Sequence, residues 1–228
     1  MALTFLNLVN DVLKRLNEVP LTSGNFNSAT GVYADAKNYV NSAINRINRE
    51  EFEWPFNHVK FAETLIPEQA IYNYQTDAKS VAFDTFVLQG DEALNVESKR
   101  LQILDYEQYL QEFPEFETSS TEYKTIPDFV VRNRNLSYTL APPPDKAYTV
   151  NYEYYKLPED LVDWDDTTTI PDIFRWVILE GALYPAYTFR GALEEATLAE
   201  KTFLKGVEDM RKMYINRYEY VRSGQIRR

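Results

Sequence analysis

The stretch Ala147-Tyr-Thr-Val-Asn-Tyr-Glu-Tyr-Tyr155 decides how this chain is read. Tyr148, Val150, Tyr152 and Tyr154 alternate with Thr149, Asn151 and Glu153. Successive side chains of a strand point to opposite faces, so this period of two describes a β-strand with one apolar side and one polar side. Toward the N-terminus the same aromatic and β-branched composition recurs between prolines. It predicts strands at His58–Leu65, Ala70–Gln75, Val81–Leu88, Arg100–Leu104, Asp128–Arg132 and Leu136–Leu140. A short helix, about Asp105 to Glu112, interrupts them.

Outside this block the period changes to that of a helix. Leu6, Val9, Leu13 and Leu16 share one face of a helix running from about Thr4, a suitable N-cap, to Glu18, with Pro20 ending it. Val32, Ala36, Tyr39, Val40, Ala43, Ile44 and Ile47 line a second, about Gly31 to Glu51, whose other faces carry Asn38, Asn41, Asn45 and Asn48. The two form a helical hairpin. An aromatic knot, Glu51-Phe-Glu-Trp-Pro-Phe56, closes it. Beyond the strands, Thr169 is the expected N-cap of a helix carrying Ile173, Phe174, Val177 and Ile178, and Pro185 is expected to kink it, crowding the carbonyl of Gly181. A last helix, about Gly191 to Tyr220, places Ala196, Ala199, Phe203, Val207, Met210 and Tyr214 at helical spacing. By propensity Gly206→Ala should merely improve it, while Gly181→Leu should damage its predecessor by putting bulk beside the Pro185 ring at the kink.

Helices at both ends with strands between predict an α+β fold: a helical bundle carrying an inserted β-rich, sandwich-like domain. The expected divisions are a hairpin over 1–56, a β domain over 57–165, C-terminal helices over 166–218 and a basic tail over 219–228. With 228 residues the chain can bury a sizeable core without crosslinks. It has no cysteine, which excludes disulfides, thiolate catalysis and cysteine-bound zinc. No segment approaches the roughly 20 apolar residues of a membrane span. The first helix, with Asp11, Lys14, Arg15 and Glu18, is amphipathic and unlike a signal peptide, so synthesis and assembly inside a cell are expected.

The formal net charge is −11, unevenly spread. From Arg211 to Arg228 six bases face one acid, Glu219, a net of +5 that leaves −16 on residues 1 to 210. Such a body repels nucleic acid, while its tail can meet an acidic surface.

Catalytic chemistry finds little purchase. There is one histidine, His58, and the seven glycines form neither G-x-G nor G-K-[ST]. Carboxylates are plentiful, in runs from Asp105 to Glu122 and from Leu157 to Asp172, and a glycosidase needs only two. Neither run has the spacing of a calcium-binding loop, and solvated loops are their ordinary role. Tyr152, Tyr154 and Tyr155 could stack on bases or sugars, but no basic groove accompanies them, so sheet core and subunit interface are the better readings. No metal or cofactor is implied.

Three stretches carry a resemblance. They are Leu3-Thr-Phe-Leu through Glu18-Val-Pro20, the Pro142-Pro-Pro-Asp145 turn leading into Tyr148 through Pro158, and the helices from Ile170-Pro-Asp through Met210-Arg-Lys212. In that order they resemble the head-to-tail adaptors of tailed bacteriophages, among them tail tubular protein A and the tail accessory factors. The segment from Ala78 to Pro127 fits that pattern least. The resemblance implies a non-enzymatic virion protein at the head–tail junction, present in the host cytoplasm before assembly. It would repeat in a homo-oligomeric ring, commonly of twelve, docked on the portal protein, with a downstream tail or nozzle protein below and DNA only passing through. On this view Tyr218, Tyr220, Val221, Arg222, Ile226, Arg227 and Arg228 engage the portal, and Asp163, Asp165 and Asp166 face the channel. The alternative is a carboxylate-based cell-wall glycosidase carried in the virion.

Overall fold

The computed structural model describes residues 3–92, 96–113 and 124–215. It is α+β and separates into two compact units, one made of Met1–Phe56 with Pro158–Arg228 and the other of Asn57–Leu157.

The first unit is helical. Helix α1 (Phe5–Arg15) starts at Thr4, whose hydroxyl accepts the Asn7 N–H, and buries Phe5, Leu8, Val9, Val12 and Leu13. It stops before Pro20. Asn17 takes φ = 57°, and the Glu18 N–H turns back to the Leu13 carbonyl at 2.9 Å. Asparagine tolerates this left-handed conformation better than most residues, so it ends the helix as a glycine would. Gly31, at φ = 61°, precedes α2 (Val32–Glu50). The aromatic knot packs inward: Trp54 is fully buried, donates to the Ile47 carbonyl at 2.9 Å and stacks on Phe56.

Three further helices lie in the described residues. Helix α3 (Tyr106–Glu112), in the second unit, is capped by the Asp105 carboxylate. Helix α4 (Arg175–Phe189) does not begin at Thr169 as expected. A 3-10 turn, Asp172–Phe174, leads into it, with Pro171 in extended conformation before that turn. The residue before a proline is pushed away from helical angles, so Ile170 bars any helix starting at Thr169. Helix α4 runs through Pro185 unbroken and is apolar on almost all sides, because α1, α2 and α5 (Leu193–Tyr214) all pack on it.

The α4 crossings explain both helical glycines. A Cβ on Gly181 would lie 2.7 Å from the Phe203 ring and 3.0 Å from the Ala43 Cβ. A Cβ on Gly206 would lie 2.7 Å from Val177 and 2.8 Å from the Trp176 indole. Gly206 is therefore a contact point between α4 and α5, which overturns the expectation that alanine there only improves propensity.

The second unit is a two-sheet sandwich. Strands β1 (His58–Thr64), β3 (Ala78–Leu88), β4 (Lys99–Arg100) and β8 (Thr149–Lys156) form one antiparallel sheet in the order β1-β8-β3-β4. Strands β2 (Ile71–Asn73), β5 (Gln102–Leu104), β6 (Phe129–Arg132) and β7 (Ser137–Ala141) form the other, in the order β2-β7-β6-β5, with β5 and β6 parallel. The single strand expected at Arg100–Leu104 is two: Leu101 turns the corner, its N–H bonded to the Phe86 carbonyl, and the chain changes sheets. Strands β1 and β8 are paired neighbours, His58 opposite Tyr155, so the unit's entry and exit lie side by side. That arrangement suits an insertion, since the flanking chain need not be pulled apart.

Tyrosine and phenylalanine fill the space between the sheets. The Phe86 ring stacks on Tyr152 at 4.7 Å and meets Tyr138 edge-on at 5.0 Å. The Tyr138 hydroxyl donates to Glu63 Oε2 at 2.6 Å. Burial, followed by that carboxylate, holds the Tyr138 phenol far above its ordinary pKa. Tyr148, buried and bonded to Asp145 of the proline turn at 2.5 Å, is pushed up to about 12. Strand β7 is buried along its whole length, because Leu104, Tyr109, Val131 and Ala141 form a second apolar layer on the outer face of its sheet.

Candidate functional site

The residues expected to engage the portal, Tyr218, Tyr220, Val221, Arg222, Ile226, Arg227 and Arg228, lie outside the described residues. Their root is described. The end of α5 packs by Tyr214 against Phe56 and Phe174. Arg211, first of the basic cluster, donates to the Glu50 backbone carbonyl and pairs with the carboxylates of Glu50 at 3.2 Å and Glu51 at 3.6 Å. Arg211 is thus part of the bundle, and Lys212 pairs with Glu208 one turn back at 2.7 Å.

Asp163, Asp165 and Asp166 sit together in the segment joining β8 to α4, but with different duties. The Asp166 carboxylate accepts the backbone N–H groups of Val162 at 2.7 Å and Asp163 at 2.8 Å. Those two bonds hold it below the ordinary carboxylate pKa. Its carbonyl accepts the Phe5 N–H at 2.8 Å, and the Trp164 carbonyl accepts that of Leu6 at 3.0 Å. These are two of the first free donors of α1, so the acidic turn caps that helix from the far end of the chain. Asp163 and Asp165 are exposed, Asp163 only within 3.4 Å of the Asn27 amide.

This segment belongs with the helical unit, although composition grouped 158–165 with the strands. The reason lies in asparagines of α2. Asn41 donates to the Leu161 carbonyl at 2.9 Å and accepts the Leu161 N–H at 3.1 Å, and Asn45 donates to Asp160 at 2.7 Å. Asn10 of α1 brackets Leu21 in the same two-handed way. A polar stripe on a helix reads as solvated, and only the partners' positions reveal it as a set of backbone clamps.

Two ideas tied to the strands can be placed. Tyr152 and Tyr154 are buried in the sandwich, and Tyr155 meets His58 edge-on. His58 bonds Glu153 at 2.8 Å, and Lys60 stands 3.5 Å from the same carboxylate. The His58 bond, first among its causes, lowers the Glu153 pKa. Of the concavities in the described residues, one beside α2 carries the single carboxylate Asp160 and one beside Leu101 the single carboxylate Asp84. Neither offers the facing pair that glycoside hydrolysis uses. Among the described residues no cluster of three or more histidine and carboxylate side chains is placed to hold a metal, and no helix is long and apolar enough to cross a membrane.

No curated protein matches the sequence. The family model of the SU10 adaptor protein matches residues 3–228, nearly the whole chain and both units, without singling out tail tubular protein A. On that match the chain belongs to the SU10 adaptor protein family.

Proposed function

We propose that this adaptor-family protein is a head-to-tail connector subunit that forms a ring between portal and tail. The observation that carries the reading is the family match across residues 3–228. The helical unit supplies the rigid part: its two chain ends are tied by Arg175–Asp11, Arg190–Glu18, Arg46–Glu200 and Arg211–Glu50. Beyond α5 the basic tail reaches the portal, with Tyr218, Tyr220, Val221 and Ile226 as apolar anchors among Arg222, Arg227 and Arg228. Asp163 and Asp165 face the channel, where carboxylates keep passing DNA from sticking because they offer its phosphates no cations. Asp166 serves the same wall by holding its turn. A downstream tail protein closes the assembly below.

Deletion of residues 219–228 tests the docking step. The truncated protein should melt as the full chain does, since Arg211 and Tyr214 remain, while binding to purified portal is lost. Undiminished docking would move the contact onto the helices. Negative-stain images of the full chain mixed with portal test the ring. The strongly negative body opposes self-assembly, so rings should form on the portal and not in its absence.

A further inference from the structure

One concavity has no part in that reading. It has a volume of about 440 Å³ and lies beside α3 on the outer face of the second sheet, walled by Ala70, Ile71, Tyr106, Tyr109, Arg134 and Asn135. No carboxylate lines it, in a chain of net charge −11.

Its rim is built to hold still. Residues 133–136 join β6 to β7, and within them the Asn133 amide donates to Ser137 Oγ at 2.8 Å. Ser137 Oγ donates to Asn135 Oδ1 at 2.6 Å, and Thr139 Oγ1 donates to Asn133 Oδ1 at 3.0 Å. Both amide carbonyls are therefore engaged, and what the two asparagines still offer is N–H. Between them stands Arg134, its guanidinium 5.6 Å from the Tyr106 ring centroid. It forms no ion pair or hydrogen bond among the described residues. Among the described residues Arg46, Arg175, Arg190 and Arg211 by contrast meet carboxylates, although Arg15, Arg49 and Arg132, like Arg134, form no ion pair. Ile71 on the wall is 56% exposed and Leu136 at the rim 75% exposed.

We infer that this concavity binds an acidic peptide, a carboxylate side chain or C-terminus meeting Arg134 while a neighbouring apolar side chain packs on Ile71 and Leu136. A planar guanidinium held by an aromatic ring presents paired donors to a carboxylate, and arginine beside tyrosine and exposed aliphatics is the composition of interface anchors. Duplex DNA fits less well, because Arg134 is the one cation lining the concavity and a run of phosphates needs several.

The test uses the full chain and the peptide Leu-Asp-Leu-Glu-Leu-amide, carrying fluorescein on its N-terminal amine, read by fluorescence anisotropy. Saturable binding is expected. It should weaken at least about tenfold when the peptide's acids are replaced by Asn and Gln, and by a similar factor in Arg134→Met. Arg134→Met keeps an apolar stem over Tyr106, and an unchanged circular-dichroism melt shows that its fold is intact. Arg134→Lys should recover part of the binding. Absence of saturable binding, equal affinity for the neutral peptide, or an unaffected Arg134→Met overturns the proposal. So does a labelled 20-base-pair duplex that binds through Arg134 more tightly than the peptide. Inorganic phosphate should compete only weakly, and full displacement by it at low millimolar concentration would also overturn a peptide site.

Discussion

In the helical unit long-range polar ties include arginine–carboxylate pairs at its margin, with side chains about a quarter to a third exposed where Arg175 meets Asp11 and Arg46 meets Glu200. In the β unit the corresponding tie between sheets is the Tyr138 hydroxyl, fully buried, on Glu63. The difference is one of reference state. A marginal arginine that loses its partner returns to water, so the pair is worth little net. The Tyr138 hydroxyl has no such return, since it stays buried, and a half-buried Glu63 recovers water only in part. The helical unit should therefore be sensitive at its apolar crossings and tolerant at its rim, and the β unit sensitive at polar atoms in its core.

The largest effect expected is at the α4 crossing. Gly181→Leu drives a side chain into Phe203 and Ala43 and should cost about 3 kcal/mol or more in urea unfolding. Gly206→Ala gains about 1 kcal/mol of helix propensity but meets Val177 and Trp176, and the sum should still be a loss of about 1 kcal/mol. A stabilised Gly206→Ala would show that the two helices separate freely there.

Next comes the polar core of the sandwich. Tyr138→Phe should cost about 2 kcal/mol, because a half-buried Glu63 loses its donor. Tyr148→Phe removes a bond to Asp145, which is exposed and can turn to water, so its cost should be nearer 1 kcal/mol. Equal losses in urea titrations of the two variants would contradict the distinction between half-buried and exposed partners. At the rim, a double-mutant cycle of Arg46→Met and Glu200→Gln should give a coupling of about 1 kcal/mol, the upper part of the range for such pairs, because the guanidinium bonds both carboxylate oxygens.

What could be read in the sequence follows the same division. Both hairpin helices, the strand around Val150 and the placing of strands between helices came from periods of 3.6 and 2, which report burial on one face. Periodicity cannot report which partner a polar residue holds. Asn41 and Asn45 could be placed only on the faces away from the apolar stripe, and they clamp residues 160 and 161. Glu63 lies in register with Val59 and Phe61, a placing that period-two counting could have flagged as inward. Asp166 read as one of three equivalent acids, whereas its carboxylate caps its own turn. Arg134 drew no notice because a lone arginine in a strand-rich region has no sequence signature. Its meaning comes from Tyr106, far away in sequence.

The smallest effect concerns pH and the outer face of the first sheet. Glu153 pairs with His58 and Lys60, and its folded pKa lies below the ordinary value of 4.5. A group whose pKa is depressed by folding contributes stability that is complete above its unfolded pKa and is lost as pH falls through the folded one. The loss should therefore develop below about pH 4.5 and be absent at neutral pH. The Glu153 side chain is 33% exposed and that of His58 29%, so solvent screens the pair and the contribution should be no more than about 0.5 kcal/mol. Other carboxylates titrate in the same window, so the readout is a difference. Urea midpoints at pH 6 and pH 3.5 are compared for the parent and for His58→Ala, in which the first cause of the Glu153 shift is gone. The parent should lose slightly more stability on acidification than the variant. Identical losses would mean that the contact between His58 and Glu153 adds nothing in solution, and that the rim of the β unit is as tolerant as the rim of the helices.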